Sequence, residues 1–253
     1  MERRNIASRM FTVGLIIVAL LLLNAGCVSL ERKLLFFPTH ETRVNGLTPW
    51  SRANEVIGYA REVEQPKHVW LMLHGNGGQA ADRSYAIPHF VTDDSVFILE
   101  YPGYGQRAGT PSKKSFNDAA RKAYLELRAR FPSQRIGVLG ESIGSGAAAF
   151  LCTLPQPPDK LVLIVPFDQL KLVAREHFPA WLVALLLRDD WNNVASLANY
   201  HGPVDIYGAE HDEVIPVAHA RALAASIPQS RFTLIHGGHN DWSLQTEIMI
   251  RYE

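Results

Sequence analysis

The sequence predicts an α/β fold built on a parallel sheet, and two observations support this prediction. Short runs of β-branched and aliphatic residues, typical of buried strands, alternate along the chain with segments of helical periodicity. Clusters of glycine and polar residues follow directly after several of these runs. Parallel strands end at the same edge of their sheet, and ligands bind at that edge. We therefore expect a functional site there.

The predicted strands begin after the first fifty residues. They cover residues 55–63, 69–73, 95–100, 135–139, 160–165, 204–207 and 231–235. The clearest helical pattern covers residues 115–130, where apolar residues recur at helical spacing behind Ser115, a helix-capping residue with Asp118 three positions later. This order of elements predicts helices on both faces of the sheet. The sequence shows no internal repeat and no low-complexity segment.

The first thirty residues resemble an export signal. Three arginines among the first nine residues precede an apolar run at residues 11–23, and small residues precede Cys27. The run of 13 residues is short for a membrane span, which needs about 20 residues. The segment before Cys27 is similar to a bacterial lipoprotein box, in which that cysteine is lipidated, although Asn24 stands where the box usually has leucine. An uncleaved anchor extending through Val28 is the alternative.

Charge and cysteine content argue against a nucleic-acid-binding protein and a disulfide-stabilised protein. The chain has 25 basic and 25 acidic residues. Because it carries no excess of positive charge that would attract a polyanion, we do not expect nucleic acid as a partner. If Cys27 carries lipid, Cys152 is left alone and no disulfide framework exists. Cys152 lies in a small, apolar helical segment and is expected in the core.

One short segment suggests a nucleophile. Residues 135–150 read RIGVLGESIGSGAAAF, with Ser142 between Gly140 and Gly144. An aliphatic run before the motif and small residues after it predict a strand, a sharp turn and a helix. Such a turn exposes the serine hydroxyl on a strained corner, and the flanking glycines relieve contacts between strand and helix. Ser142 is therefore a candidate nucleophile, with an ordinary turn serine as the alternative.

Other strand ends carry groups that can assist a serine nucleophile. The loop at residues 74–78, HGNGG, can turn backbone N–H groups toward a ligand, and residues 100–105 read EYPGYG. Asp212 lies in the loop after the strand at 204–207, and His239 lies in the loop after the last strand. The chain order is serine, acid, histidine.

These residues resemble the α/β-hydrolase superfamily over residues 55–252. Within it they are similar to a branch with H-G-N-x-G, Y-P-G-Y-G, G-x-S-x-G, D-x-x-x-P and G-G-H motifs, which includes depalmitoylating thioesterases and serine aminopeptidase-like proteins. The resemblance implies an eight-stranded, mostly parallel sheet with helices on both faces and a small cap. It also implies an oxyanion hole formed by the backbone N–H groups of Asn76 and Ile143.

A serine becomes a good nucleophile when an imidazole takes its proton and a carboxylate orients that imidazole. We assign these roles to Ser142, His239 and Asp212. For the base His236 is the rival, and for the acid the rivals are Asp168 and, more weakly, Glu210 and Glu213. His74 is expected to brace the oxyanion loop.

We expect residues 1–26 to be a signal peptide or membrane anchor, 27–50 a tether and 51–253 one α/β-hydrolase catalytic domain. The expected function is a serine hydrolase acting on an acyl ester or thioester through an acyl-enzyme, with a small-molecule or lipid acyl substrate, no cofactor and no metal. An aminopeptidase-like amide hydrolase and a non-catalytic binding protein are the alternatives. The protein is expected to be exported and held at a membrane of the cell envelope through its N-terminus.

Two other sequence features have alternative interpretations. The glycines at 140, 144 and 146 fit the dinucleotide loop of short-chain dehydrogenases, but no tyrosine has a lysine four residues on, and the motif lies mid-chain. Residues 181–187 are all apolar. They either pack on the core or form a wall for an acyl chain or a surface facing lipid.

Overall fold

The computed structural model describes residues 26, 28–41 and 46–252. In this part of the chain eight strands form one open sheet in the order β1-β2-β4-β3-β5-β6-β7-β8. The strands are β1 Thr48–Arg52, β2 Glu55–Arg61, β3 His68–Leu73, β4 Ser95–Leu99, β5 Arg135–Glu141, β6 Lys160–Ile164, β7 Val204–Ala209 and β8 Ser230–Ile235. Strand β2 is antiparallel to β1 and β4, and the remaining pairs are parallel. The predicted eight-stranded, mostly parallel sheet is confirmed.

Helices cover both faces of this sheet. They are α1 Lys113–Arg130, α2 Gly144–Leu151, α3 Leu170–His177, α4 Ala180–Leu186, α5 Asn193–Leu197, α6 Val217–Ala225 and the 3-10 helices Ala80–His89 and Asp241–Leu244. Residues 28–35 are also helical, and we call them the N-terminal helix. Alternate residues of β3 enter two cores: Leu71 packs with α1 and α2, whereas Trp70 packs with the 3-10 helices. Because both of their faces are buried, the central strands β3 to β7 are largely apolar.

The start of α1 corrects one prediction. The helix begins at Lys113 and is capped by Ser112, not opened by Ser115. The hydroxyl of Ser112 accepts a hydrogen bond from the backbone N–H of Ser115 at 3.0 Å, and the hydroxyl of Ser115 accepts one from the N–H of Ser112 at 2.9 Å. This reciprocal pair satisfies two N–H groups at the helix start, so Ser115 is the third helical residue.

A small cap of α3, α4 and α5 lies between β6 and β7. The apolar segment at residues 181–187 forms most of α4. Val183 and Leu186 on its inner face are buried, whereas Trp181 and Leu185 on its outer face are 69% and 59% exposed. The helix therefore both packs on the protein and presents an apolar surface to the outside.

The attachment predictions fall outside the described part of the chain. The apolar run at residues 11–23 and Cys27 lie outside the described residues. Among the residues that are described, no helix has the length and apolar character to cross a membrane. Cys152 is buried, and this burial raises the pKa of its thiol, which keeps it protonated and unreactive.

Candidate active site

Ser142 stands on a sharp turn between β5 and α2. Its backbone φ is 53°, a left-handed conformation that non-glycine residues rarely adopt. Its N–H donates to the carbonyl of Ile164 at 2.9 Å, which fixes the turn against β6. The glycine at 144 is required here, because a Cβ atom at that position would lie 2.1 Å from the carbonyl oxygen of Leu73. Helix and strand can meet this closely only without a side chain.

The three residues predicted as a triad lie in one chain of hydrogen bonds. Ser142 Oγ is 2.8 Å from His239 Nε2, and His239 Nδ1 is 2.7 Å from Asp212 Oδ2. The other oxygen of Asp212 accepts from the backbone N–H groups of Val214 and Ile215 at 2.9 and 2.7 Å. With Asp212 as a carboxylate acceptor, the hydrogen-bond pattern assigns the ring proton of His239 to Nδ1 and leaves Nε2 to accept from the serine hydroxyl.

The rival residues have other partners. Asp168 contacts Nδ1 of His219 at 2.8 Å, and Glu176 contacts Nε2 of the same ring at 3.1 Å. His236 is largely exposed and contacts Glu210 at 3.1 Å. None of these contacts joins the chain of hydrogen bonds at Ser142.

The loop after β3 brings Asn76 to the same site. The side chain of Asn76 donates to the carbonyl of Leu35 and accepts from the N–H of Phe37 at 3.3 Å and from the hydroxyl of Tyr104 at 2.8 Å. These bonds hold the residue in place. Ile143, on the other side of Ser142, is the N-cap of α2, where backbone N–H groups point out of the helix.

A buried network that the sequence analysis missed holds this loop from behind. The carboxylate of Glu141 accepts from the N–H of Gly75 at 3.0 Å, from the hydroxyl of Tyr85 at 3.0 Å and from the indole of Trp242 at 2.9 Å. Arg83 donates to Tyr85 at 3.0 Å and to the carbonyl of Gly75 at 3.4 Å. It also bonds the carbonyl of Gly77. The N–H group of Gly75 and the carbonyl groups of Gly75 and Gly77 are therefore all held by hydrogen bonds.

The charges in this network stabilise each other. Burial alone would raise the pKa of Glu141, but the Arg83 guanidinium and the hydrogen bonds from Trp242, Gly75 and Tyr85 outweigh it and hold the pKa below its ordinary value. Burial likewise lowers the pKa of Arg83, and the negative charge of Glu141 reverses that effect. One feature of the sequence could have indicated this network: Glu141 stands at the end of an apolar strand. A carboxylate is rarely buried there without a partner.

A cavity of about 570 Å³ opens over Ser142. Its reactive end is lined by Asn76, Arg83, His239 and the turn at Ser142. The rest of the wall is mainly apolar and comes from three places: the N-terminal helix, the cap and the loop after Asp212. The apolar lining residues are Leu34, Leu35, Phe37, Ile143, Phe167, Leu170, Val173, Ala174, Phe178, Leu187, Val214 and Ile215. The cavity therefore suits a molecule with one apolar arm and a polar group near Ser142.

No cluster of three or more histidine, cysteine, aspartate or glutamate side chains that could hold a metal ion is found among residues 26, 28–41 and 46–252.

Sequence comparison finds relatives along most of the chain. An uncharacterised protein of Mycobacterium tuberculosis is 29% identical over 237 residues, covering 84% of this chain and 82% of the relative. The α/β hydrolase domain-containing protein WAV2 of Arabidopsis thaliana is 27% identical, covering 72% of this chain and 70% of the relative. Lysophosphatidylserine lipase ABHD12 of Danio rerio is 26% identical over 74% of this chain and 54% of the relative. No protein-family model matches the chain.

Solved structures share the same fold. A protein of Thermus thermophilus, TT1662, has a TM-score of 0.60 at 18% identity, covering 82% of this chain and 95% of that one. The esterase Pf2001 of Pyrococcus furiosus has a TM-score of 0.60 at 15% identity, covering 81% of this chain and 90% of that one. At these identities the likeness establishes the fold alone.

Proposed function

The chain belongs to the α/β-hydrolase superfamily, and on that premise we propose that it is a serine hydrolase that cleaves the acyl ester or thioester of a lipid-like substrate. The observation that carries this proposal is the chain of hydrogen bonds from Ser142 through His239 to Asp212 at the mouth of an apolar cavity. Relatives and structural neighbours that are named as lipases and esterases support the hydrolase class.

The first half of the reaction is acylation. The hydroxyl oxygen of Ser142 attacks the carbonyl carbon of the substrate, while Nε2 of His239 takes the hydroxyl proton. Asp212 holds the ring in the right tautomer and stabilises the imidazolium that forms. The tetrahedral intermediate then collapses, the bond to the leaving oxygen or sulfur breaks, and His239 returns the proton to the leaving group. An acyl ester on Ser142 remains.

The negative charge on the intermediate needs donors that are already in place. We assign them to the backbone N–H groups of Asn76 and Ile143, as the motifs imply. The bonds of the Asn76 side chain and the Glu141–Arg83 network fix the first donor, and the N-terminus of α2 supplies the second. Losing one such donor typically costs 10²–10³ in kcat, about 3–4 kcal/mol.

Deacylation repeats these steps with water. His239 takes a proton from a water molecule, the hydroxide attacks the acyl carbon, and the proton returns to Oγ of Ser142 as the acid product leaves. No cofactor is needed for either half, because serine, histidine and water supply every proton and electron pair.

The volume and apolar lining of the cavity suit a single acyl chain. Its volume of about 570 Å³ lies within the range of small-molecule sites, and its apolar walls suit hydrocarbon. One relative is named a lysophosphatidylserine lipase, a protein acting on a one-chain lipid ester. We therefore place monoacyl glycerophospholipids, with long-chain acyl thioesters as the second group, at the head of the substrates to be tested.

A panel of substrates tests the proposal. Purified protein is assayed with p-nitrophenyl esters of increasing chain length, monoacyl glycerophospholipids, acyl thioesters and aminoacyl amides, with Ser142→Ala as the matched inactive variant. We expect kcat/KM to rise with chain length and to exceed that for the amides. Preferred cleavage of the amides would favour the aminopeptidase-like alternative, and no turnover of any substrate above the Ser142→Ala level would favour a binding protein.

We also propose that the protein is exported and held at a membrane through its N-terminus, by lipid on Cys27. Several buried acyl chains hold a protein firmly, because each buried CH₂ contributes about 0.8 kcal/mol. Mass spectrometry of the protein from its native membrane tests this: a lipid-modified Cys27 at the mature N-terminus is the expected result. An unmodified chain that retains residues 1–9 would reject lipidation in favour of an uncleaved anchor.

A further inference from the structure

Several apolar side chains lie exposed on the elements that border the cavity. They come from the N-terminal helix, the chain that follows it, and the end of α3 together with α4 in the cap. We call them the entrance patch, which consists of Leu30, Leu34, Phe37, Phe178, Trp181 and Leu185. Single exposed apolar residues are common on protein surfaces, but a contiguous group beside a binding site indicates an interaction surface.

Shared cavities and helical spacing connect these residues, with Leu30 one turn before Leu34 in the N-terminal helix. Leu34, Phe37 and Phe178 line the cavity that holds Ser142. Leu34 and Phe178 also border a shallow apolar groove between the N-terminal helix and the inner face of α4. Trp181 and Leu185 lie one turn apart on the outer face of α4.

The two sides of the entrance are fixed to each other. Glu31 in the N-terminal helix is buried, and its carboxylate accepts hydrogen bonds from the backbone N–H groups of Arg188 and Asp189, at 2.5 and 2.7 Å, just after α4. These bonds stabilise the carboxylate and hold the helix against the cap. The N-terminal helix and the end of α4 are therefore joined at one rim of the cavity, which we call the rim.

From this arrangement we propose that the entrance patch docks on the surface of a lipid bilayer, with Trp181 and Leu185 inserted among the acyl chains. The occupant follows from the chain that leads into the rim. The apolar run at residues 11–23 and Cys27 stand directly before the N-terminal helix. A chain held at a membrane by either of these features brings Leu30 and Leu34 to the lipid first.

Docking gives a route for the substrate. A lipid with one acyl chain leaves the bilayer beneath the patch and enters the cavity along its apolar wall, without crossing water. Trp181 suits this position because indole rings favour the boundary between hydrocarbon and headgroups. The inference rests on the proposed membrane attachment, and its activity measurement rests on the proposed function as well.

Fluorescence tests the docking without any need for turnover. Trp181 is the only well-exposed tryptophan of the five in the chain, and the other four are at most 4% exposed. The full-length Ser142→Ala chain is reconstituted in vesicles of phosphatidylcholine and phosphatidylglycerol, with and without brominated acyl chains. We expect the brominated lipid to quench the emission of Trp181, and the quenching to disappear in Trp181→Phe.

An activity measurement uses a matched pair of variants. Leu185→Asp places a charge on the patch, whereas Leu125→Asp places the same charge at a 48% exposed leucine on α1, outside the patch. Because the apolar area of one leucine corresponds to a factor of roughly ten or more, Leu185→Asp should lower kcat/KM at least about tenfold for a monoacyl lipid presented in vesicles. Turnover of a soluble short-chain ester should stay unchanged, and Leu125→Asp should change neither rate.

The results separate the possible errors. Trp181 emission that is insensitive to brominated lipid, in protein that remains with the vesicles, would overturn the docking. Emission that instead depends on the density of protein in the vesicle would place a second copy of the chain over the patch, which also overturns it. Quenching without any turnover by the wild type would reject the proposed function and leave the docking intact.

Discussion

Replacement of Glu141 by glutamine tests how the oxyanion loop is held. In the native protein Oε2 of Glu141 accepts from the N–H of Gly75, and Oε1 accepts from Tyr85 and Trp242. A glutamine that keeps the last two bonds through its carbonyl oxygen turns its amide N–H₂ toward the N–H of Gly75, so that two donors face each other. The substitution also removes the carboxylate that balances the charge of Arg83.

Both losses are large because the site is buried. A buried donor left without an acceptor costs about 1–3 kcal/mol, and loss of the carboxylate removes the largest nearby negative charge that stabilises Arg83. Arg83 keeps its bonds to Tyr85 and to the loop carbonyls, so we expect the free energy of unfolding to fall by about 3 kcal/mol, near the upper end for one lost acceptor. Because Gly75 precedes the proposed oxyanion donor Asn76, kcat should fall by about 10–100-fold with little change in KM.

The pH dependence of stability gives a second readout. The pKa of Glu141 is held below its ordinary value of 4.5, mainly by Arg83 against the opposing effect of burial. The native state therefore binds fewer protons than the unfolded chain in this range. The stability contributed by the ionised Glu141 carboxylate is fully present above the pKa that Glu141 has in the unfolded chain. It is lost as the pH falls through the lower pKa of Glu141 in the folded protein. The Glu141→Gln variant lacks this ionisation, so its stability should fall less steeply than that of the wild type on acidification below about pH 5.

Chemical denaturation and steady-state kinetics with a soluble ester measure these effects. Glu126→Gln is the matched control, because Glu126 also accepts from a tryptophan, Trp50, and pairs with Arg52, but near the surface. We expect that variant to lose less than about 1 kcal/mol and to keep its kcat. A Glu141→Gln variant with wild-type kcat and stability within about 0.5 kcal/mol of the wild type would refute this view of the loop.

Three further predictions concern the triad, the turn and the N-terminal helix. Asp212→Asn should lower kcat about 10⁴-fold and Asp168→Asn far less, as measured by ester hydrolysis; the reverse order would move the acid to Asp168. Gly144→Ala should destabilise the fold by more than about 3 kcal/mol in denaturant titration, since its Cβ would lie 2.1 Å from a backbone oxygen; near-native stability would contradict the close contact. Removal of residues 1–30 should give a soluble, active enzyme. Removal of residues 1–39 should abolish turnover, because part of the cavity wall and two partners of the Asn76 side chain are lost. Equal activity of the two truncated proteins would show that the N-terminal helix is only a tether.

Seven of the eight strands could be predicted from the sequence. The central strands β3 to β7 are largely apolar, and β2 and β8 keep β-branched or aromatic residues among their polar ones. Strand β1, Thr48–Arg52, was missed since only Trp50 of its five residues is buried and one residue is proline, so it shows neither an apolar run nor alternation. It lies at the edge of the sheet, where such sequences are tolerated. The sequence could not decide whether the apolar segment at residues 181–187 packs on the core or faces outward. In a helix that is apolar all round, periodicity does not show which face is buried.

The candidate site residues could be found from their order and spacing, but the groups that hold them could not. Glu141 and Arg83 are 58 positions apart, and Asn76 contacts Leu35 across 41. No local pattern indicates such pairs. The described residues of the predicted tether, 28–41 and 46–50, accordingly form part of the cavity wall and the sheet rather than a simple linker.

Identification of the acylated residue tests the central claim most directly. The wild type and the Ser142→Ala variant are treated with a fluorophosphonate probe and analysed by intact-mass and peptide mass spectrometry. The proposed mechanism predicts one adduct per chain, on Oγ of Ser142, with no adduct and no ester hydrolysis in a folded Ser142→Ala variant. An adduct on another residue, or a variant that hydrolyses esters at the wild-type rate, would contradict it.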